Sequence, residues 1–382
     1  MIQRTILKPT TLTTSCGRFL KNIERSYQSI IKGMELKEVV QRLNNYAPLS
    51  LAESWDNVGL LVEPSSPTHT VNSILLTNDL TEAVMDEAIQ TNTNMILSYH
   101  PPIFAPLKTL TRSTWKERIV LKAIENRIAI YSPHTAFDVV KGGVNDWLAT
   151  GLGKGAVRPL KNMLADGNLG THKVHIVVPK DQKKVDELAT KLKQADESID
   201  VHCEEYLHDV VVNFKCNSGS LLNIMKLMNS ESSEILKRTD IFSLAKIPVQ
   251  DTGIGRLCTL EEAVSVETMI KRIKGHLELD KVRFAQAKQG SQNDVVSTIA
   301  ICAGSGSSVL KGVKADMYLT GEMSHHDVLD AVSRGIHVVL AEHSNTERGF
   351  LKKEFCSVLS VMLDEKVAIK QSTTDADPIA IV

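Results

Sequence analysis

No run of apolar residues in the 382-residue chain approaches the roughly 18 needed to cross a bilayer, which argues against a membrane-spanning helix. The six cysteines (Cys16, Cys203, Cys216, Cys258, Cys302 and Cys356) lie far apart and form no CxxC pair. That excludes the usual disulfide scaffold and thiolate zinc site, and favours reduced thiols inside a cell. No sign of charge prevails: 44 Lys and Arg face 45 Asp and Glu, a formal net charge of −1. A global electrostatic pull toward nucleic acid or anionic membrane is therefore missing. What is present is a globular composition, 42% hydrophobic and 23% charged, in a chain long enough for two or three domains.

The first 33 residues differ from the rest. Arg4, Lys8, Arg18, Lys21, Arg25 and Lys32 stand against one acid, Glu24, beside a Thr/Ser-rich patch at Thr10 to Ser15. Such composition suits a mitochondrial transit peptide or an N-terminal extension, and both readings stay open. From Met34 the amphipathic run Leu36, Val39, Val40, Leu43 marks where folding begins. Residues 34–165 alternate strand and helix patterns: strands at Ser73 to Thr77, Met95 to Tyr99 and Arg127 to Tyr131, helices at Thr81 to Thr91 and Trp115 to Asn126. Alternation of this kind predicts a mostly parallel sheet covered on both faces. Residues 166–250 show a β-α-β-β-α order, which predicts a small ferredoxin-like α+β insert. In residues 251–382 the first texture returns, giving an α/β fold of two halves facing one another plus the insert.

The halves resemble each other. Sliding Leu76–His100 by 243 positions lays it on Leu319–His343 without a gap, matching Leu76, Thr77, Ala88, Leu97 and His100 to identical residues. Each unit carries an acid after its first strand, Asp79 or Glu322, and a histidine after its second, His100 or His343. Two related units predict mirrored surroundings for those termini.

Parallel α/β sheets bind ligands beyond the carboxyl ends of their strands. His100, His134 with Asp138, and His343 with Glu347 all fall there. Residues four apart share a helical face, so each His/carboxylate pair could grip one ion. Imidazole plus carboxylate suits zinc, manganese, iron or nickel. Three histidines and two carboxylates make about the right set for a two-metal centre, with ions roughly 3.5–4 Å apart. A histidine at a strand end is also commonly just a hydrogen-bonded cap, and no HExxH motif decides between the two. Gly304-Ser305-Gly306-Ser307-Ser308 suits an anion-holding loop or a tight turn; His325, His326 and Asp327 suit outer contacts to metal or substrate. Trp55-Asp56-Asn57-Val58-Gly59 suits a structural turn or a cleft wall.

Glu53–Leu60, Ser98–Phe104, His134–Asp138, Leu319–Glu322 and His343–Phe350 resemble the motifs of the family called NGG-interacting-factor-three-like, most strongly its animal members. Its members are often described as GTP cyclohydrolase I type 2. The resemblance spans residues 34–382. It implies two α/β halves around a dinuclear site with about two divalent transition-metal ions (Zn, Mn, Fe or Ni) per chain. By position the ligands would be His100, Asp138, His343 and Glu347, with His134 beside them. Glu322 or His326 would move protons. Bacterial members commonly have two adjacent histidines where this chain has Tyr99-His100, so one ion is expected to bind weakly or to be a different element. The resemblance further implies homo-oligomers, from dimers to hexamers. Two functions follow as expectations: a metal-dependent hydrolase of a nucleotide-like substrate, or a transcriptional co-regulator working through protein partners around a structural or vestigial metal. Direct nucleic-acid or membrane binding is not expected. The expected location is the cytoplasm, with the nucleus or mitochondrion as further options.

Overall fold

The computed structural model describes residues 32–164, 170–231, 233–245, 247–287 and 295–379. The expected transit peptide or extension therefore lies outside the described residues, apart from its last two positions. In chain order the first α/β part comprises α1 (Leu36–Tyr46), β1 (Gly59–Val62), β2 (Ser73–Thr77), α2 (Glu82–Gln90), β3 (Met95–Ser98), α3 (Trp115–Glu125), β4 (Ala129–Ser132), α4 (Thr135–Val139), α5 (Val144–Thr150) and β5 (Gly155–Leu164). The insert holds β6 (His172–Pro179), α6 (Gln182–Ala195), β7 (His202–Glu205), β8 (Asp209–Cys216), α7 (Ser218–Glu231) and β9 (Thr239–Ser243). The remainder supplies β10 (Pro248–Ser265), α8 (Val266–Leu277), β11 (Arg283–Ala285), β12 (Val295–Ser305), β13 (Met317–Glu322), α9 (His325–Ser333), β14 (His337–Leu340) and β15 (Ala368–Gln371). Among the described residues no helix is long and apolar enough to cross a membrane.

The described chain gathers into two compact units, one running to Asn162 and again from Asp251, the other Met163–Gln250. Beside a two-stranded ladder of Met34–Glu35 with Thr70–Val71, the larger unit contains two main sheets, ordered β15-β2-β3-β4-β1 and β11-β14-β13-β12-β10-β5. Their central strands are parallel. β2, β3 and β4 are buried at every residue, as expected of strands covered on both faces. Leu75, Ile96 and Ile130 pack on α2 and α3; Ala300, Tyr318 and Val338 pack with Ala331 of α9. The opposite faces, through Leu76, Leu97, Ile301 and Leu319, share one core with Phe137, Trp147, Phe350 and Phe355.

The internal repeat is real at the level of caps. α9 lies 243 residues after α2 at both ends. Thr81 caps α2 by accepting the Val84 amide, and Ser324, its counterpart, accepts that of Asp327 at the start of α9. The halves are not drawn where the sequence suggests. β5, expected in the first half, is an edge strand of the second sheet, and β15 from the far end of the chain closes the first. Each sheet thus borrows a strand from the other half. The insert has the four-stranded antiparallel order β9-β6-β8-β7 with α6, α7 and the short helix Ser233–Lys237 packed on one face, the ferredoxin-like arrangement anticipated.

The segment after β15 is clasped to α2. Both oxygens of Glu87 are used, accepting bonds from Ser372 Oγ (2.6 Å), Thr373 N (2.8 Å) and Thr374 Oγ1 (2.9 Å) among others. Burial alone would raise the Glu87 pKa, but these donors outweigh it and lower it from 4.5 to about 2. A depressed carboxylate stabilises the fold fully above its unfolded value and loses that contribution as pH falls toward the folded one. Wild type should therefore protect the amides of residues 373 and 374 from hydrogen exchange better than Glu87→Gln above pH 4.5, and the gap should close toward pH 2. A difference that stays constant over that range would refute the clasp.

Candidate metal centre

The polar ends of both sheets meet at one place. His100 follows β3, its amide bonded to Asn78 O (3.0 Å). His343 and Glu347 follow β14 and are separated by the short turn Ser344–Thr346. His134 follows β4 at φ +34°, and Glu342 precedes His343 at φ +66°. Left-handed backbone is costly for residues with a Cβ, and both such positions lie against the cluster.

Glu347, only 3% exposed, lies between two imidazoles. One oxygen is 3.4 Å from His343 Nε2 and the other 3.3 Å from His100 Nε2. Donor atoms of these three residues all lie within 4.8 Å of one another, making them a group able to hold a metal ion. The other ring nitrogens are held by carboxylates: His100 Nδ1 by Asp79 (2.8 Å), His343 Nδ1 by Glu322 (3.3 Å) and His134 Nδ1 by Asp56 (2.7 Å). Carboxylates in that position fix the ring and its tautomer and leave Nε2 for a metal. The Asp79–His100 and Glu322–His343 pairs are the repeated acid and histidine of the two halves. Gly304 approaches so closely that a Cβ would lie 2.7 Å from Glu347 Oε1 and 3.0 Å from His343 Nε2, and its φ of +61° also favours glycine. The glycine-serine loop is thus a wall of the centre, and the helix after it, Ser307–Leu310, is a single turn.

The cluster crowds carboxylates and imidazoles together, and their pKa values shift accordingly. Asp138 is half-buried in the cavity wall; its desolvation, reinforced by the Glu347 charge, raises its pKa to about 8. Tyr99 donates its hydroxyl to Asp138 Oδ1 (2.5 Å), and burial beside Asp138 pushes the phenol far above its usual range. Burial would lower the His100 pKa, but Glu347 and Asp79 prevail and raise it to about 10. Asn78 donates to Glu347 (3.2 Å) while its own Oδ1 is sealed without a partner. The buried Glu347 carboxylate, the half-buried Asp138 and the convergent imidazoles fit a divalent transition ion held through nitrogen and oxygen.

The tail beyond β15 reaches this site. Asp375 accepts from the Asn78 amide (2.9 Å) and from Arg348 Nε (3.1 Å), and Ser344 donates to Asp377 (2.6 Å). Arg348 also lies 3.4 Å from Asp79. One segment therefore ties the His100 side of the centre to the His343 side.

Of the residues singled out from the sequence, His100, His343 and Glu347 come together. His134 stands with its ring 5.2 Å from that of His100, and it lines with Asp138 and Glu347 a cavity of about 510 Å³. Glu322 contacts the centre only through His343 Nδ1. His326 is exposed on the first turn of α9, its ring 5.7 Å from that of His325, outside the three-residue group. The turn at Trp55 serves both roles considered for it: Asp56 anchors His134, and Trp55, 58% exposed, forms part of the cavity wall. Sequence reasoning did not assign Asp79, Asp56 or Asp375. The matched offset of Asp79 and Glu322 could have shown the first; Asp375 carries no pattern.

The family described as Duf34/NIF3 (NGG1p interacting factor 3) matches residues 34–378. The chain belongs to this family. The motif resemblance therefore holds over almost the whole described chain. Rattus norvegicus NIF3-like protein 1 is 49% identical over 355 residues, covering 91% of this chain and 93% of the relative. NGG1-interacting factor 3 of Saccharomyces cerevisiae is 30% identical, with 91% and 97% covered. Among solved structures, the Bacillus cereus protein related to NIF3 superposes with a TM-score of 0.63 at 27% identity, covering 92% of this chain and all of that one. The α/β architecture is thus shared with solved NIF3 proteins.

Proposed function

We propose that this NIF3-family protein is a metal-dependent hydrolase acting on a nucleotide-like substrate in the 510 Å³ cavity. The supporting observation is the buried Glu347 carboxylate shared between His100 Nε2 and His343 Nε2. A divalent ion held there would supply Lewis acidity and lower the pKa of water toward neutrality. The chain does the rest. Asp79 and Glu322 keep both Nε2 atoms turned inward, Gly304 admits the carboxylate, and Asn78 holds it in place. His134 and Asp138 supply a second, weaker position, because Tyr99 spends its hydroxyl on one Asp138 oxygen. About two ions per chain at saturation is the corresponding stoichiometry, one of them readily lost. Trp55, exposed at the cavity, offers an apolar face to a planar substrate group.

The test is turnover by the intact, metal-replete protein. Incubated with Mn²⁺ or Zn²⁺ and a panel of nucleotides including GTP, it should show hydrolysis that EDTA stops and His343→Ala abolishes. Full metal occupancy with no turnover of any nucleotide would end this reading.

A second reading draws on the yeast relative, whose name describes an interacting factor of NGG1. Here the protein would act as a co-regulator through protein partners, with the metal serving structure. Partner binding that survives His343→Ala in a folded protein would favour it.

A further inference from the structure

The clasp on α2 sets three successive hydroxyl residues against one carboxylate. Ser372 Oγ donates to Glu87 Oε2 (2.6 Å), Thr373 Oγ1 to Oε1 (2.8 Å) and Thr374 Oγ1 to Oε2 (2.9 Å). The Thr373 and Thr374 amides join them at 2.8 and 3.3 Å. Hydroxyl and amide donors, and no cation, dominate the surroundings of that carboxyl. Thr373 and Thr374 are exposed, and residues 372–379 belong to no helix or strand. Exposed bonds of this kind open locally without unfolding the sheet behind them. Asp375 and Asp377 follow Thr374 at the first and third positions beyond it.

The next residue carries the clasp to the metal centre. Asp375 accepts from the Asn78 amide (2.9 Å) and from Arg348 Nε and Nη2 (3.1 and 3.2 Å). Asn78 runs directly into Asp79, whose carboxylate holds His100 Nδ1 at 2.8 Å. Thr374 and Asp375 are covalent neighbours, so driving the first away from α2 pulls the second from the turn that positions His100.

We propose that Thr374 is a phosphorylation site whose phosphate opens the clasp and frees the turn that positions His100. The terminal phosphoryl group of a nucleoside triphosphate passes to Thr374 Oγ1. A new O–P bond forms as the terminal phosphoanhydride bond breaks, the hydroxyl proton goes to the kinase's base, and the nucleoside diphosphate leaves. Phosphothreonine has no hydroxyl proton to donate, and it sets roughly −1.5 to −2 charges beside Glu87. A bond that held the tail becomes a like-charge contact. The carboxylates of Asp375 and Asp377 suit a kinase with a basic substrate groove. The switch does not depend on hydrolysis; only its effect on metal affinity rests on the candidate centre.

The full chain is treated with an acid-directed serine/threonine kinase and Mg-ATP, and the phosphate is located by mass spectrometry. Thr374 should be modified, and Thr374→Val should take up no phosphate at residues 372–374. In the phosphorylated protein the amides of residues 373, 374 and 78 should exchange hydrogen faster by about tenfold or more, and phosphatase should restore slow exchange. Competition with a chelator for Zn²⁺ should show about tenfold or greater weakening of metal affinity on phosphorylation. Near-ultraviolet circular dichroism checks that the phosphorylated protein keeps its fold. An unmodified Thr374, or exchange at residues 373, 374 and 78 that phosphate leaves unchanged, would overturn the proposal. Equal metal affinity in the two forms would overturn the link from clasp to His100. Metal bound by neither form would count against the centre itself, and the exchange result alone then decides the switch.

Discussion

Glu347→Ala should strip the protein of tightly held metal. Glu347 is the one residue that meets both other donors, His100 and His343, and its removal leaves two imidazoles from different halves with no shared anion. Replacing an outer carboxylate such as Glu322 typically costs about 10–100-fold in metal affinity, and loss of the shared ligand should exceed that range. The measurement is metal content by mass spectrometry after dialysis against a graded chelator series, for wild type, Glu322→Gln and Glu347→Ala. The expected order of retention is wild type, then Glu322→Gln, then Glu347→Ala. Equal retention by wild type and Glu347→Ala would place the metal elsewhere or nowhere. Folding is verified separately by near-ultraviolet circular dichroism, because a buried carboxylate can be replaced without loss of the surrounding sheet.

The largest expected loss of stability lies 110 residues apart in sequence, at the Asp146–Arg256 pair. Arg256 on β10 is 1% exposed; its guanidinium donates to both Asp146 oxygens and to the carbonyls of Val140, Gly253 and Gly255. Removing one partner of a buried pair leaves an uncompensated charge and costs about 3–5 kcal/mol. Asp146 is a quarter exposed, so water can reach the cavity left behind and the lower end of that range applies. Asp146→Ala should therefore lose about 3 kcal/mol in urea unfolding. Arg256→Met combined with Asp146→Ala should recover part of it, because no lone cation remains. A loss below about 1 kcal/mol would show the pair to behave like a surface ion pair. The pair also bears on the metal centre: α5, which carries Asp146, holds Asn145 between the Asp138 carbonyl (3.0 Å) and the Ala303 amide (2.9 Å).

The central strands and α2 were readable because apolar runs and the repeated acid and histidine are local signals. The borrowed strands were not. β5 is mostly exposed and contains Pro159, and β15 is half-buried at each of its four residues; neither shows the alternation that identifies a strand. Both exist because a distant sheet edge accepts them, which is information about partners and not about the segment. The same divide runs through the site. His100, His343 and Glu347 stand at strand ends that the pattern locates. The bond from Tyr99 to Asp138 and the reach of Asp375 into the Asn78 turn depend on tertiary geometry that spacing does not encode. His326 shows the converse: a histidine at the start of a helix in the right unit, yet turned to solvent.

The position of β15 and Asp375 has a consequence for biosynthesis. The first sheet and the turn behind His100 are completed by residues among the last described in the chain. As the amino-terminal part emerges from the ribosome, its sheet has an unfilled edge beside β2, and Asp79 has neither Arg348 nor the Asp375-anchored turn to steady it. The candidate metal site would therefore reach its final surroundings only after the tail has been translated. A chain cut short before residue 368 would carry all three metal donors and still present an open, ladder-ready edge, making it a substrate for chaperones and proteases and not a weaker copy of the finished protein.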